Sequence, residues 1–294
     1  RPDLWGHYGI ARELAAIYGL PLKELEALDF EEDLETYPVR IESEDTCSRY
    51  IAVEYEHVDA RKSPLWLQSA LMKVGVKPIN LIVDITNFVM MTTGQPTHAY
   101  DEGHVSGGIV VRGGKEHEDL TLLDGKELDL DSHNMVIADE EKAIGLAGIM
   151  GGAKDSILRS TENIVFEVAN FDAQNIRKTA QEFGVRTEAS SRFEKGIDTQ
   201  RSLQAILFAN YLINDLFPEA KPIAYEDALI RETKQESIDL SVSWLSRRLG
   251  KEVDYNEVSE LLAPLGFEVA AVNGDHIQVL APSWRSTGDV DLMD

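Results

Sequence analysis

Residues 164–172, Ile-Val-Phe-Glu-Val-Ala-Asn-Phe-Asp, carry the reading on which the fold turns. Ile164, Val165, Phe166, Val168 and Ala169 show no polar alternation, the pattern of a strand buried on both faces rather than half-solvated. Glu167 interrupts that run. A carboxylate among apolar neighbours needs a partner, because desolvating it alone is costly. The spacing leaves two answers open: an ion pair with an arginine or a solvated strand edge, or a polar group held in an apolar pocket to receive a ligand hydroxyl.

Working outward, Gly145-Leu146-Ala147-Gly148-Ile149-Met150-Gly151-Gly152 predicts a strand running into a tight corner, where missing side chains let backbone approach a neighbour or a ligand. Tyr50 to Tyr55 reads as a strand. Ser63-Pro64 reads as an N-cap and first helical position, opening a helix through Trp66, Leu67, Ala70, Leu71 and Val74 that stops at Gly75. Short strands are expected over 108–112, 120–123, 127–130 and 135–138, with Asp124-Gly125 as a hairpin turn. A helix is expected over 200–217, closed by Phe217-Pro218. The class is therefore α+β, mixed, with a sheet-rich middle.

The flanks differ. Residues 9–19 place Ile10, Leu14, Ile17 and Tyr18 on one helical stripe ending at Gly19. Between Glu24 and Asp45 ten acidic residues meet only Arg40, which reads as an acidic linker. Residues 227–294 read as a second small unit: strand at 238–240, helices at 243–249 and 256–262, strands near 267–272 and 276–280. Domains are expected at 1–40, the end of a preceding small domain plus linker, then 41–226 and 227–294, the last incomplete. A start at Arg1 and a stop at Asp294 read as a piece of a longer polypeptide.

With 28 Lys plus Arg against 52 Asp plus Glu, the 294-residue chain has a formal charge of −24. Such a field repels phosphate backbones, so broad electrostatic nucleic-acid binding is excluded and any RNA contact must be local. Residues 177–201 hold a basic surplus, in Arg177, Lys178, Arg186, Arg192, Lys195 and Arg201. Cys47 is the single cysteine, excluding an internal disulfide and fitting a reducing compartment, with cytoplasm the default. No run approaches the ~18 apolar residues of a membrane-spanning helix, so no membrane role is expected. Gly113-Gly114-Lys115 fails the phosphate-loop spacing. His98, Asp101 and His104 have ligand-like spacing, but Gly94-Gln95-Pro96 and Gly103 argue against the helix a metal triad would need.

In order along the chain, RPD (1–3), GIARE (9–13), SPLWLQSALMKVGVKPINLIVDITNFVMMTTGQPTHAYD (63–101), GLAGIMGG (145–152), VFEVANFD (165–172), RTEASSRFEKGID (186–198) and PSWR (282–285) resemble the β subunit of bacterial phenylalanyl-tRNA synthetase. The resemblance implies a sheet-rich editing domain flanked by small helical or winged-helix-like α+β modules. The editing domain would hydrolyse tyrosine misattached to phenylalanine tRNA, with a pocket on His98, Gly151, Glu167, Thr187 and Ala189. His98 and Thr187 are the catalytic candidates; Glu167, Gly151 and Ala189 are the substrate-binding ones. It also implies tRNA(Phe) and an α subunit as partners in an α2β2 heterotetramer. Editing would need no cofactor; ATP and Mg2+ would serve the parent ligase, with Asp289 matching the first residue of a magnesium site.

Overall fold

The computed structural model describes residues 1–154 and 156–285. Its strands are β1 (Glu35–Thr36), β2 (Val39–Ile41), β3 (Cys47–Glu56), β4 (Thr97–Asp101), β5 (Ile109–Gly113), β6 (Glu118–Thr121), β7 (Glu127–Leu130), β8 (Met135–Ala138), β9 (Ala143–Leu146), β10 (Met150–Gly151), β11 (Ile164–Phe171), β12 (Lys221–Leu229), β13 (Ser237–Ser241), β14 (Glu268–Asn273) and β15 (His276–Leu280). The helices are α1 (His7–Tyr18), α2 (Leu65–Lys73), α3 (Leu81–Thr93), α4 (Ala173–Glu182), α5 (Glu188–Phe193), α6 (Thr199–Leu216), α7 (Val242–Leu249) and α8 (Tyr255–Leu262).

β11 lies inside a five-stranded sheet of order β1-β12-β3-β11-β4, with antiparallel partners on both sides. All eight of its residues are buried, as its apolar run predicts. Even-numbered Ile164, Phe166 and Val168 face a core built with α2, α3 and α6, including Leu67, Ile85, Val89, Ile206 and Ala209. Val165 and Ala169 face the other way, onto the second sheet, β10-β9-β8-β5-β2. The period of two thus sorts one strand between two cores, and it puts Glu167 in the layer between the sheets.

The acidic segment is not a free linker throughout: β1 pairs parallel with β12 and β2 parallel with β5. Phe30 stacks on Tyr225 at 4.7 Å and Tyr37 is buried. Strands of two or three residues carry no readable period, which is why the charge run concealed them. The α1 stripe also turns out differently. Ile17 and Tyr18 are each 70% exposed, whereas Gly9 and Arg12 are the buried members. Ser63 does not cap α2; its hydroxyl donates to Asp84, and Pro64 occupies the N-cap.

The last unit has its own sheet, β13-β15-β14, and its own core around Val258, Ile277 and Val279, in the strand and helix order expected.

Candidate active site

β11 pairs in register with both neighbours, setting Glu167 opposite Ala52 on β3 and opposite His98 on β4. Alternation then places Tyr50, two residues from Ala52, and Tyr100, two residues from His98, on the same face as Glu167. The Tyr50 hydroxyl donates to Glu167 Oε2 at 2.9 Å and the Tyr100 hydroxyl donates to the same oxygen at 2.8 Å. No described side chain donates to Oε1. Glu167 is therefore neither ion-paired with an arginine nor at a strand edge. Burial pushes its carboxyl up from 4.5 to about 7, and the two phenols pull the other way without cancelling it.

Turn chemistry supplies the rest of the wall. Gly94 takes the left-handed conformation (φ 80°) that ends α3, and buried Gln95 then donates to the Pro96 and Ala169 carbonyls and accepts from Ser202. This pins the start of β4 to β11 and α6. Gly148 (φ 66°) turns β9 back into β10, bringing Gly151 against His98. A Cβ at Gly151 would lie 2.7 Å from both Cε1 and Nε2 of His98, so a larger residue there would displace the imidazole ring. His98 packs edge-on against Tyr100, ring centroids 4.5 Å apart. Burial holds its imidazole down to about 4, so it is neutral at physiological pH.

Glu167, His98, Tyr100, Gly151, Ala189 and Phe193 line a cavity of about 60 Å³ between the sheets. That exceeds the about 10–15 Å³ a single water requires.

Thr187 lies beside the cavity and is engaged twice. It caps α5 by accepting from Ser190 N at 3.0 Å, and its hydroxyl donates to the Ile149 carbonyl at 2.8 Å. That tie holds the α5 start, and with it Ala189, against the 145–152 corner.

Family models match the chain in two stretches: the B3/4 domain over residues 46–218, more than half of the chain, and the tRNA synthetase B5 domain over 238–294. The phenylalanine–tRNA ligase β subunit of Solibacter usitatus is 41% identical over all of this chain. The chain belongs to the phenylalanine–tRNA ligase β-subunit family. The β subunits of Fusobacterium nucleatum and Aquifex aeolicus are 37% and 38% identical, over 97% and 100% of the chain. The chain spans only 39%, 36% and 38% of the length of these three relatives. An N-terminal fragment of the Pyrococcus horikoshii phenylalanyl-tRNA synthetase β subunit superposes with a TM-score of 0.44 at 14% identity, over 97% of this chain and 79% of that one.

Within this β-subunit segment, four of the five pocket residues that the motifs suggested, His98, Gly151, Glu167 and Ala189, line one cavity. Tyr50 and Tyr100 escaped the sequence reading. Each is far from Glu167 in the chain, and only the pairing of β3 and β4 with β11 reveals them; the i, i+2 spacing of His98 and Tyr100 was the available signal.

One expectation is corrected. Arg192 and Arg201 are buried at 6% and 5% exposure, so they do not form an RNA-facing surface. Arg192 instead donates to the Trp5 and Glu188 carbonyls. The exposed basic residues of that stretch are Arg177, Lys178, Arg186 and Lys195. Asp101 and His98 sit three apart on a strand and so point to opposite faces, with Asp101 accepting from Thr161 at 2.6 Å. Among the described residues no cluster of three His, Cys, Asp or Glu side chains converges as a metal site. Asp289 lies outside the described residues.

Proposed function

We propose that the cavity between the two sheets is an editing site that hydrolyses the ester of tyrosine misattached to phenylalanine tRNA. The observation that carries this reading is the asymmetry of Glu167: Oε2 accepts two phenolic protons while Oε1 accepts none from the described residues. A tyrosyl group entering the cavity would supply the missing donor at Oε1. A phenylalanyl group would cover the carboxyl and leave Oε1 without a donor, a rejection stronger than an apolar pocket achieves against one hydroxyl.

The ester is already activated, so positioning a water is the main requirement. In hydrolysis a water oxygen attacks the carbonyl carbon, the bond to the ribose oxygen breaks, and the water's proton ends on that ribose hydroxyl. His98, neutral and free of protein hydrogen-bond partners among the described residues, is placed to orient the water. With its imidazole at about 4 it is a poor store for a proton at neutral pH, so its role is alignment rather than general base. Gly151 sets the ring position, Ala189 keeps room for the phenol, and Thr187 fixes Ala189.

The parent protein would be phenylalanine–tRNA ligase, an α2β2 assembly in the cytoplasm that uses ATP and Mg2+ for aminoacylation, with this segment contributing editing. The −24 charge opposes phosphate, so tRNA binding by this segment alone is weak and confined to patches such as Arg186 and Lys195.

Incubating the chain with tyrosyl-tRNA(Phe) and following ester loss tests the reading. Release faster than in buffer, and faster than from phenylalanyl-tRNA(Phe), is expected; equal rates would return the segment to a scaffold role within the synthetase.

A further inference from the structure

A second cavity, which shares no lining residue with the first, lies where α1, the start of α6 and the 282–285 stretch meet. Its volume is about 130 Å³, and Arg12, Arg201, Asp3, Asp198, Gln200 and Gln204 are on its wall. At about 10–15 Å³ per water it is several times larger than a single solvent site. Arg12 is only 8% exposed, yet no described residue gives its guanidinium a carboxylate or a hydrogen-bond acceptor. Its plane is held by rings instead: the guanidinium carbon lies 3.9 Å from the Trp284 ring centre and 5.2 Å from that of Tyr8. Stacking of this kind fixes the faces and leaves the N–H edge unused.

The two buried carboxylates nearby are already engaged. Asp3 accepts from Arg1 at 2.9 and 2.7 Å. Asp198 accepts from Ser283 at 2.9 Å and from the Arg201 backbone at 3.0 Å, with the Arg201 guanidinium 3.1 Å away. Arg201 Nη2 faces Asp198 Oδ2 as an ion pair, so Arg201 is compensated and Arg12 is not. Arg1 also pairs with Glu13, which lies 3.8 Å from Arg285, whereas Arg12 has no such partner among the described residues. A buried unpaired cation is costly, and an oxyanion is the chemistry that relieves it.

We infer that this cavity binds a small oxyanion, a phosphate or carboxylate group, on the edge of the Arg12 guanidinium. The two aromatic rings hold the fork in place before the ligand arrives, so little side-chain freedom is lost on binding. Gln200 and Gln204 add amide donors of no net charge, which suits a ligand carrying its own hydroxyls or ester oxygens.

The test titrates the full 294-residue chain with inorganic phosphate, and separately with acetate, at constant ionic strength, reading the thermal midpoint and the broadening of the phosphate phosphorus resonance. Saturable binding of phosphate is expected, tighter than acetate because of the greater charge. Arg12→Met should weaken it at least about tenfold, and Arg12→Lys, which keeps the charge and loses the fork, should fall between. Acetate binding more tightly than phosphate while still depending on Arg12 would identify a carboxylate as the ligand group. Should Arg12→Met fail to fold, the wild-type titration and the lysine variant decide alone. No saturable binding of either anion to the wild-type chain, or Arg12→Lys binding phosphate as the wild type does, overturns the inference.

Discussion

Replacing Glu167 with glutamine removes the titrating carboxyl while keeping a side chain of the same shape that still accepts from Tyr50 and Tyr100. Burial raises the folded-state value to about 7, whereas the unfolded chain releases that proton near 4.5. Between those limits the folded state holds a proton that the unfolded state has lost. This contribution to stability is full below about 4.5, declines as pH rises, and is gone above about 7. At about 1.4 kcal/mol per pH unit the window is worth ~3 kcal/mol. Urea unfolding of wild type and Glu167→Gln at pH 5 and pH 8 measures it, since groups common to both chains cancel in the difference. Relative to the variant, the wild type is expected to lose most of that ~3 kcal/mol between the two pH values. Parallel pH dependence in the two chains would show that Glu167 ionises in the ordinary carboxylate range, and the account of a desolvated carboxyl held by two phenols would fail.

Tyr100→Phe removes one of the two donors to Oε2 and should cost about 1 kcal/mol of stability, while moving the Glu167 titration further above 7; the pH profile of tyrosyl ester hydrolysis reads the shift. Gly151→Ala drives a Cβ into the His98 ring, so hydrolysis should fall at least about tenfold, with circular dichroism showing the fold retained. Thr187→Val removes the α5 cap and the tie to Ile149 and should lower stability by about 1 kcal/mol. A loss of hydrolysis far beyond that of Thr187→Ser would mean that the hydroxyl also meets the substrate.

Much of this arrangement was legible because the residues that carry it obey local rules. The apolar run of β11 announces a strand buried on both faces, and the glycines of 145–152 announce a corner that approaches another chain segment closely. The C-terminal unit was readable strand by strand, because its period and its glycine stops agree. Three features were not. β1 and β2 are too short to show a period inside an acidic run. The apolar stripe of α1 predicts a buried face, yet Arg12 is the residue drawn inside, against the rings of Tyr8 and Trp284. The phenols that hold Glu167 come from strands 67 and 117 residues away in sequence, and no spacing rule connects them before the register of the sheet is known. Stretch 177–201 taught the converse. Its basic surplus is real in composition, but Arg192 and Arg201 are internal packing groups, so counting charge along the chain overstated the surface offered to RNA.

The most direct test of the central claim is the ratio of tyrosyl- to phenylalanyl-tRNA(Phe) hydrolysis by wild type and Glu167→Ala, with thermal stability measured alongside. Loss of one buried hydrogen bond to the carboxyl is worth on the order of 1–3 kcal/mol, so the ratio should fall roughly ten- to hundredfold while the variant stays folded. An unchanged ratio in a folded variant would contradict recognition of the tyrosine hydroxyl by Glu167.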